Sequence, residues 1–304
     1  MLRKILIGFV GLVIITFIFL YVVTRPTRET DGAFSPSFLA LKLATSPVTD
    51  FDNTIYDNPY TGNKKVLMVC TEERNMKMAN GKMFSTGNHP VEMMLPMLHL
   101  KNAGFDIDIF TPTGKPVKIE MWAMPEEDEK VMSLYTEHTN QFENPKSLAK
   151  FVLDSMNNGT EYLAVYLPGG HGAMLGLPFN QDLNELIHWS YAKDMHMLAI
   201  CHGPAALLAA GLNGNKNSYI YKGYNIAAFP DEVDEQTPMM GYMPGHMPWK
   251  FGEKLNELGI TIINMEADKT VHADRKLITG AGPLAANNFG KLSATELLKV
   301  VNEH

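Results

Sequence analysis

The chain has 304 residues, of which 45% are hydrophobic and 19% are charged. This composition excludes a disordered or fibrous protein, because enough apolar material is present to build a sizeable core. The 26 Lys and Arg residues are outnumbered by 33 Asp and Glu residues, which gives a formal net charge of −7. Nucleic acid is therefore not expected as the main partner, and small or neutral ligands are favoured.

The first 25 residues differ in character from the rest of the chain. An uncharged apolar stretch runs over residues 5–23, with Arg3 and Lys4 before it and Arg25 after it. A helix of that length extends over roughly 28 Å, close to the thickness of the hydrocarbon layer of a membrane. We therefore expect a single-pass membrane anchor over residues 1–25, with the folded domain outside the cytoplasm. A cleaved signal peptide is the alternative.

Residues 26–62 are rich in Thr, Ser, Pro, Asp and Asn and have no sustained periodicity. We interpret them as a tether and irregular lead-in without catalytic residues. The sequence that follows, residues 63–304, is expected to form the folded domain. Within it, the charged stretch 117–158 is interpreted as a small inserted cap region.

The folded domain alternates between strand and helix patterns. Short apolar runs typical of buried strands occupy residues 64–70, 162–167 and 197–201, and residues 105–110 alternate as a half-buried strand does. A helix is predicted at residues 90–103, ending before a glycine. Further strands are predicted at 225–229, 260–264 and 276–279, and further helices at 205–210, 249–258 and 283–301. This alternation predicts a doubly wound α/β fold, with a mostly parallel sheet flanked by helices.

Cys201 stands where a predicted strand meets a turn that contains Gly203 and Pro204. A sharp strand-to-helix turn holds a nucleophile in a strained conformation above the sheet. The amides and dipole of the following helix favour a thiolate, so we expect a lowered pKa for Cys201. Cys70 lies within a predicted strand and is interpreted as an inert buried residue. The two cysteines are far apart and form no C-x-x-C pair, which argues against a disulfide scaffold or a thiolate zinc site.

Two other segments are expected near Cys201, because ligands of such sheets bind beyond the carboxyl ends of the strands. Gly169, Gly170 and His171 follow one strand, and amides of such a turn can stabilise developing negative charge as an oxyanion hole does. Glu92 lies in the first turn of the helix predicted at 90–103. Its carboxylate either complements the helix dipole or shares a proton with Cys201 as a general acid and base.

Seven motifs occur in order along the folded domain. They are NGKMFSTGNHPVE, EMWAMP, PGGHGA, CHGPAALL, FPDEVDEQTP, GYMPGHMPW and DRKLITGAGPLAAN. Through these motifs the chain resembles the DJ-1/PfpI superfamily, which has a flavodoxin-like fold, and within it the Hsp31 class. That class is described as a heat-shock chaperone, a glutathione-independent glyoxalase III and a protein deglycase. The resemblance covers nearly the whole folded domain but not the first 50 or so residues.

The resemblance implies a role for each matching residue. Cys201 corresponds to the nucleophile, His202 to the histidine that follows it, and Glu92 to the acid beside the sulfur. Asp234 corresponds to the acid that orients the histidine, with Asp231 as an open alternative. The resemblance also implies a homodimer that needs no cofactor.

The implied reaction converts methylglyoxal to D-lactate through a hemithioacetal on Cys201. The substrate would be a small 2-oxoaldehyde or a glycated protein, and a holding chaperone with vestigial catalysis is the alternative. A class I glutamine amidotransferase is excluded, because no His-x-Glu pair follows Cys201. A cysteine peptidase is less suitable, since an adjacent Cys-His pair beneath an insertion favours a small substrate.

One departure from the class concerns a divalent metal site with two histidines and a carboxylate. The corresponding residues are Lys101, Asp106 and His138. A lysine ammonium is cationic and has no lone pair to donate to a metal at neutral pH. We therefore expect no metal at these residues.

Overall fold

A seven-stranded sheet forms the centre of the protein in a computed structural model, which describes residues 16, 19, 22–159, 161–214 and 216–303. Its strands, given in the order in which they neighbour one another, are β12 (Val271–Asp274), β13 (Leu277–Gly280), β9 (His196–Ile200), β8 (Tyr162–Leu167), β3 (Lys65–Val69), β6 (Asp106–Thr111) and β7 (Lys146–Ser147). All neighbours are parallel except the antiparallel pair β12 and β13.

The central strands are apolar along their whole length because both faces of the sheet are covered. In β3, Leu67 and Val69 face one hydrophobic cluster, whereas Val66 and Met68 face the other. This is the pattern of a strand buried on both sides. The α/β fold and the parallel sheet predicted from the apolar runs are therefore confirmed.

Helices cover both faces of this sheet. The α-helices are α1 (Phe38–Ala44), α2 (Pro90–Asn102), α3 (Glu129–Glu143), α4 (Leu148–Asp154), α5 (Gln181–Ala192), α6 (Asp231–Gln236), α7 (Phe251–Glu257) and α8 (Ala286–Asn302). The stretch after Cys201 forms a 3-10 helix, Gly203–Gly211. Helix α2 begins with a proline at its first position and packs closely on α8, where a Cβ at Gly290 would lie 2.8 Å from Pro96 Cα.

The segment at residues 26–62 contains more structure than its sequence predicts. Two short strands from it, β1 (Thr27–Arg28) and β2 (Phe34–Ser35), are followed by helix α1. They join β4 (Asn75–Lys77) and β5 (Met83–Ser85) in a second sheet of order β1-β2-β5-β4. A separate parallel pair is formed by β10 (Asn225–Ile226) and β11 (Thr261–Ile262). Strands of two or three residues are too short to show a periodicity, so partners distant in sequence determine them.

Ion pairs and backbone hydrogen bonds hold this early segment on the domain. Arg74 forms an ion pair with Glu29 and lies 3.6 Å from Asp31, both of which belong to the turn between β1 and β2. Ser37 caps α1, and its amide donates to the carbonyl oxygen of Gly241 at 2.8 Å. The segment therefore packs on the surface of the α/β domain as part of the folded structure.

The expected membrane anchor needs correction. In the part of the chain that the structure describes, no helix combines the length and the apolar character needed to cross a bilayer. Most of residues 5–23 lie outside the described residues, since 1–15, 17, 18, 20 and 21 are not among them. The transmembrane helix, membrane localisation and a domain held outside the cytoplasm are therefore not supported.

The central strand offers a direct test of core packing. Leu67 is fully buried in β3, whereas Leu153 at the end of α4 is 83% exposed. We expect Leu67→Ala to lower the free energy of unfolding by about 2–5 kcal/mol through the cavity that it leaves. Leu153→Ala should change it by no more than about 0.5 kcal/mol. Urea unfolding measures both values, and equal effects would contradict the assignment of Leu67 to the core.

Candidate active site

Cys201 directly follows β9 and has a φ of +62°, a left-handed conformation that a residue with a side chain rarely adopts. Its amide donates to the carbonyl oxygen of Gly280, and its own carbonyl oxygen accepts from the amide of Phe229. A Cβ at Gly203 would lie only 2.2 Å from the carbonyl oxygen of Leu167, so only glycine fits the turn. The local geometry is that of a nucleophile elbow.

The His202 side chain connects the sulfur to a buried carboxylate. His202 Nδ1 lies 3.2 Å from Cys201 Sγ, and His202 Nε2 lies 2.9 Å from Asp234 Oδ2. A carboxylate only accepts hydrogen bonds, so Nε2 carries the proton and Nδ1 presents its lone pair to the sulfur. Burial and the charge of His171 lower the pKa of His202 to about 4, although Asp234 opposes them. The imidazole is therefore neutral at pH 7 and able to accept a proton.

Asp231 and Asp234 have separate contacts. Asp231 accepts hydrogen bonds from the amides of Gly252 and Glu253, at 3.1 and 2.8 Å, where helix α7 begins. Asp234 contacts His202 and also His171, whose Nε2 lies 2.9 Å from Asp234 Oδ1. Burial alone would raise the pKa of Asp234, but the two histidines hold it below its ordinary value. Asp234 therefore remains a carboxylate inside the protein.

Glu92 is completely buried in the first turn of α2. Its side chain lies beside Cys201 and the Gly170 amide, but neither carboxyl oxygen forms a hydrogen bond of good geometry with another described residue. Burial raises the pKa of Glu92 to about 8, with Cys201 opposing and the charge of Glu120 reinforcing the shift. At neutral pH this carboxyl group therefore holds a proton that it can donate.

The thiol of Cys201 differs from the sequence expectation. Burial raises its pKa well above the ordinary value, and the neighbouring carboxyl group of Glu92 raises it further. The expectation of a lowered pKa was based on the amides of the following helix. That helix is a 3-10 helix, and only 4% of Cys201 is exposed, so desolvation outweighs the dipole. The resting site is therefore a thiol beside a neutral imidazole.

The turn Gly169, Gly170 and His171 lies against both Glu92 and Cys201. A Cβ at Gly169 would lie 2.2 Å from Glu92 Oε2 and 2.6 Å from Cys201 Cβ. Gly170 has a φ of +92°, and its amide is close enough to lower the pKa of both Glu92 and Cys201. This amide is the group best situated to stabilise negative charge that develops near the sulfur.

A pocket of about 300 Å³ lies above the sulfur. Polar side chains that border it are those of His89, Glu120, His171, His202, Thr237 and Tyr242. Helix α1 supplies Ala40, Leu43 and Ala44 as an apolar wall. Sequence reasoning missed α1, His89 and Glu120, although His89 and Glu120 belong to motifs that had been noted for the resemblance.

Comparisons with known proteins identify the family of this chain. The profile of the DJ-1/PfpI family matches residues 82–228. The protein/nucleic acid deglycase HchA of Escherichia coli O157:H7 is 48% identical over 268 residues, covering 88% of this chain and 93% of that protein. This chain therefore belongs to the DJ-1/PfpI family, in its Hsp31 class.

Two solved structures share the fold. The Rapid Encystment Protein of Francisella tularensis has a TM-score of 0.64 at 25% identity, over 77% of this chain and 99% of that one. Glyoxalase III of Candida albicans has a TM-score of 0.57 at 23% identity, over 76% of this chain and 97% of that one. These structures support the α/β architecture of the DJ-1/PfpI member described above.

Two groups of side chains were considered as metal ligands. Lys101 forms an ion pair with Glu137, and His138 Nδ1 lies 3.1 Å from the carbonyl oxygen of Leu134. An ammonium group in the place of a ligand does not fit a divalent cation. The second group is His171, His202 and Asp234, whose ligand atoms lie within 4.8 Å of one another; it is the one such group within the described ranges. The Nε2 atom of each imidazole points at the Asp234 carboxylate, which fits a hydrogen-bond network.

The contact between Gly169 and Glu92 predicts a strict requirement for glycine. We expect Gly169→Ala to force Glu92 or Cys201 to move and to cost roughly 1–3 kcal/mol of stability. Gly211→Ala is the matched control, because its nearest neighbour would lie 3.5 Å away, in ordinary contact. Thermal unfolding measures both variants, and an unchanged melting temperature for Gly169→Ala would refute the close contact.

The raised pKa of Glu92 predicts a pH dependence of stability. Between pH 4.5, the ordinary value, and about pH 8, folded Glu92 keeps its proton while the unfolded chain releases it. The free energy of unfolding should therefore fall as the pH rises through this window, by at most about 1.4 kcal/mol per pH unit.

This decline should disappear in Glu92→Gln, which cannot ionise. Urea unfolding at pH 5, 6, 7 and 8 measures the effect, with exposed Glu266→Gln as the control. Parallel curves for wild type and Glu92→Gln would show that Glu92 ionises normally.

Proposed function

We propose that this protein is a cysteine-dependent deglycase with glyoxalase III activity, acting on small 2-oxoaldehydes and on their adducts with proteins. Close relatives named as protein/nucleic acid deglycases, 48% identical over most of the chain, support an enzyme of this kind. The observation that carries the proposal is Cys201 at a strained elbow, 3.2 Å from a neutral imidazole and beside a protonated carboxyl group.

The first step joins sulfur to the aldehyde carbon. As the bond between Sγ and carbon forms, the thiol proton passes to His202 Nδ1, and Asp234 stabilises the resulting imidazolium. The carbonyl electron pair moves to oxygen, where the amide of Gly170 and the acid of Glu92 can receive the charge. Protonation of that oxygen gives a neutral hemithioacetal.

The second step moves hydrogen between the two substrate carbons. A base removes the proton from the carbon bonded to sulfur, and a proton is delivered to the neighbouring carbon. The hydroxyl proton on the first carbon passes to the oxygen of the second, which leaves a thioester. Glu92 and His202 are the groups near the sulfur that can exchange these protons. Water then cleaves the bond between carbon and sulfur, releasing D-lactate and regenerating the thiol.

The shape of the site supports small substrates and leaves room for side-chain adducts. The pocket of about 300 Å³ borders a second one of about 430 Å³, and the two share Leu43, Ala44, His89, Pro283 and Leu284. The first suits a three-carbon aldehyde, and the second offers a route for a longer glycated side chain. On a glycated amine, the carbon–nitrogen bond would break as the carbon–sulfur bond forms, and the amine would leave with the thiol proton. The hemithioacetal that remains would be the one that free aldehyde gives.

The chaperone alternative is not favoured. A holdase requires no ordered connection from thiol to imidazole to carboxylate, whereas here all three side chains are buried and in contact. The relatives are also named for deglycase activity rather than for holding unfolded protein.

The first test is formation of D-lactate from methylglyoxal without glutathione, using the full chain. We expect activity in the wild type and none in Cys201→Ala, because among the described residues that line the pocket Cys201 is the one thiol that can form the thioester. Glu92→Gln and Asp234→Asn should lower kcat by about 10²–10⁴. Asp231→Asn is the matched control and should retain activity within several-fold, since the hydrogen bonds of Asp231 go to backbone amides at the start of α7 and not to His202.

A second arm separates deglycase activity from scavenging of free aldehyde. Glycated N-acetylarginine is supplied with a chemical trap for free methylglyoxal, and lactate release is followed. Release that persists with the trap supports direct attack on the adduct. If folded wild type forms lactate from neither substrate, the proposed function is wrong.

A further inference from the structure

Asp234 binds two histidines rather than one. Its Oδ2 lies 2.9 Å from His202 Nε2, and its Oδ1 lies 2.9 Å from His171 Nε2. All three residues are buried, with exposed fractions between 1% and 4%. The imidazole rings lie 4.0 Å apart between centroids, at an angle of 37°. The familiar arrangement of cysteine, histidine and aspartate therefore has a fourth member.

This arrangement constrains the carboxylate at both oxygens. A carboxylate held by one hydrogen bond can rotate about its Cβ–Cγ bond, but one held by a donor at each oxygen has a fixed plane. The fixed plane in turn directs the ring of His202, so that Nδ1 remains at the sulfur. His171 therefore acts on Cys201 through two intervening side chains.

We propose that His171 is a positioning residue, which by sharing the Asp234 carboxylate with His202 orients that imidazole and limits its basicity toward Cys201. The inference deepens the proposed function, because it assigns a role within the same proton transfer. Sequence reasoning had considered His171 only as part of the glycine turn that binds substrate.

The charges around His171 support its effect on the basicity of His202. The titratable groups that face it are Asp234 on α6, Glu120 in the loop before the 3-10 helix Met121–Ala123, His89 before α2, His202 at the elbow, and Tyr242. Burial opposes protonation of His171, but Asp234 and then Glu120 raise its pKa. A proton on His171 puts a positive charge beside His202, which disfavours a second one there.

The stacking of neighbouring rings keeps His171 in this orientation. Phe84 meets His171 edge to face at 5.6 Å, and Tyr242 lies 6.0 Å away, both measured between ring centroids. On the other side, Phe229 stacks on His202 at 4.8 Å. The pair of imidazoles is thus enclosed by aromatic rings, and the carboxylate is the polar group that both Nε2 atoms contact.

Two variants separate the hydrogen bond from the charge. His171→Gln keeps an N–H donor for Asp234 Oδ1 but cannot carry a charge, whereas His171→Leu loses both. In each variant we expect the pKa of His202 to rise by about one unit or more, because the neighbouring charge is gone. The acid limb of kcat/KM for methylglyoxal, which reports groups of the free enzyme, should move to higher pH by the same amount.

The size of the loss in kcat should differ between the two variants. The kcat of His171→Leu should be at least about 10-fold lower than that of His171→Gln, since glutamine can still donate a hydrogen bond to the Asp234 carboxylate and leucine cannot. If His171 served only packing, both variants would be less stable than the wild type, and the acid limb of kcat/KM would not move. That result, or equal kcat in the two variants, would overturn the proposal.

A measurement without substrate keeps this test independent of the proposed function. Titration of ¹⁵N-labelled histidines by NMR gives the pKa and tautomer of His202 in the wild type and in His171→Gln, with His202→Asn used for assignment. We expect the Nε2–H tautomer in the wild type and a higher pKa in the variant. An unchanged His202 pKa would refute the role of His171 even if the enzyme proved inactive on every aldehyde.

Discussion

The positive φ of Cys201 is the constraint on which the site depends. A left-handed conformation costs of order 1–3 kcal/mol and persists only where the surroundings determine it. Here the central strand β9 fixes the chain before Cys201, and hydrogen bonds with Gly280 and Phe229 fix the residue itself. With its backbone turned in this way, the sulfur projects beyond the carboxyl ends of the strands, where α2, the glycine turn and α6 converge on it.

Burial determines the protonation state of almost every group around that sulfur. Glu92, Cys201 and His202 are shifted toward their neutral forms, and Asp234 stays charged because two N–H groups bind it. A buried charge is tolerated when hydrogen bonds satisfy both of its oxygens. The reaction therefore begins with little charge at the sulfur and develops it only as the new bond forms. Fixed donors are most effective under those conditions, since they require no reorganisation.

Much of the fold could be predicted because its central strands are apolar throughout. The runs in β3, β8 and β9 read as buried strands without any knowledge of their partners. The strands β1 and β2 could not be found in this way, because two residues carry no pattern. Asp231 and Asp234 lie one helical turn apart, and their separate partners depend on how α6 is oriented in the fold. The pKa of Cys201 was predicted in the wrong direction because a local helix rule takes no account of burial.

Helix α1 gives the pocket a wall that comes from outside the region covered by the family profile. Its residues Ala40, Leu43 and Ala44 face the space above the sulfur, while the profile begins only at residue 82. The residues that shape this wall therefore lie far in sequence from Cys201 and His202 at the elbow. Relatives that keep the same chemistry but carry a different leading segment would be expected to differ in which aldehydes they admit. In this architecture the reactive cysteine and one apolar wall of its pocket come from separate stretches of sequence, so that reactivity and the width of the pocket depend on different residues.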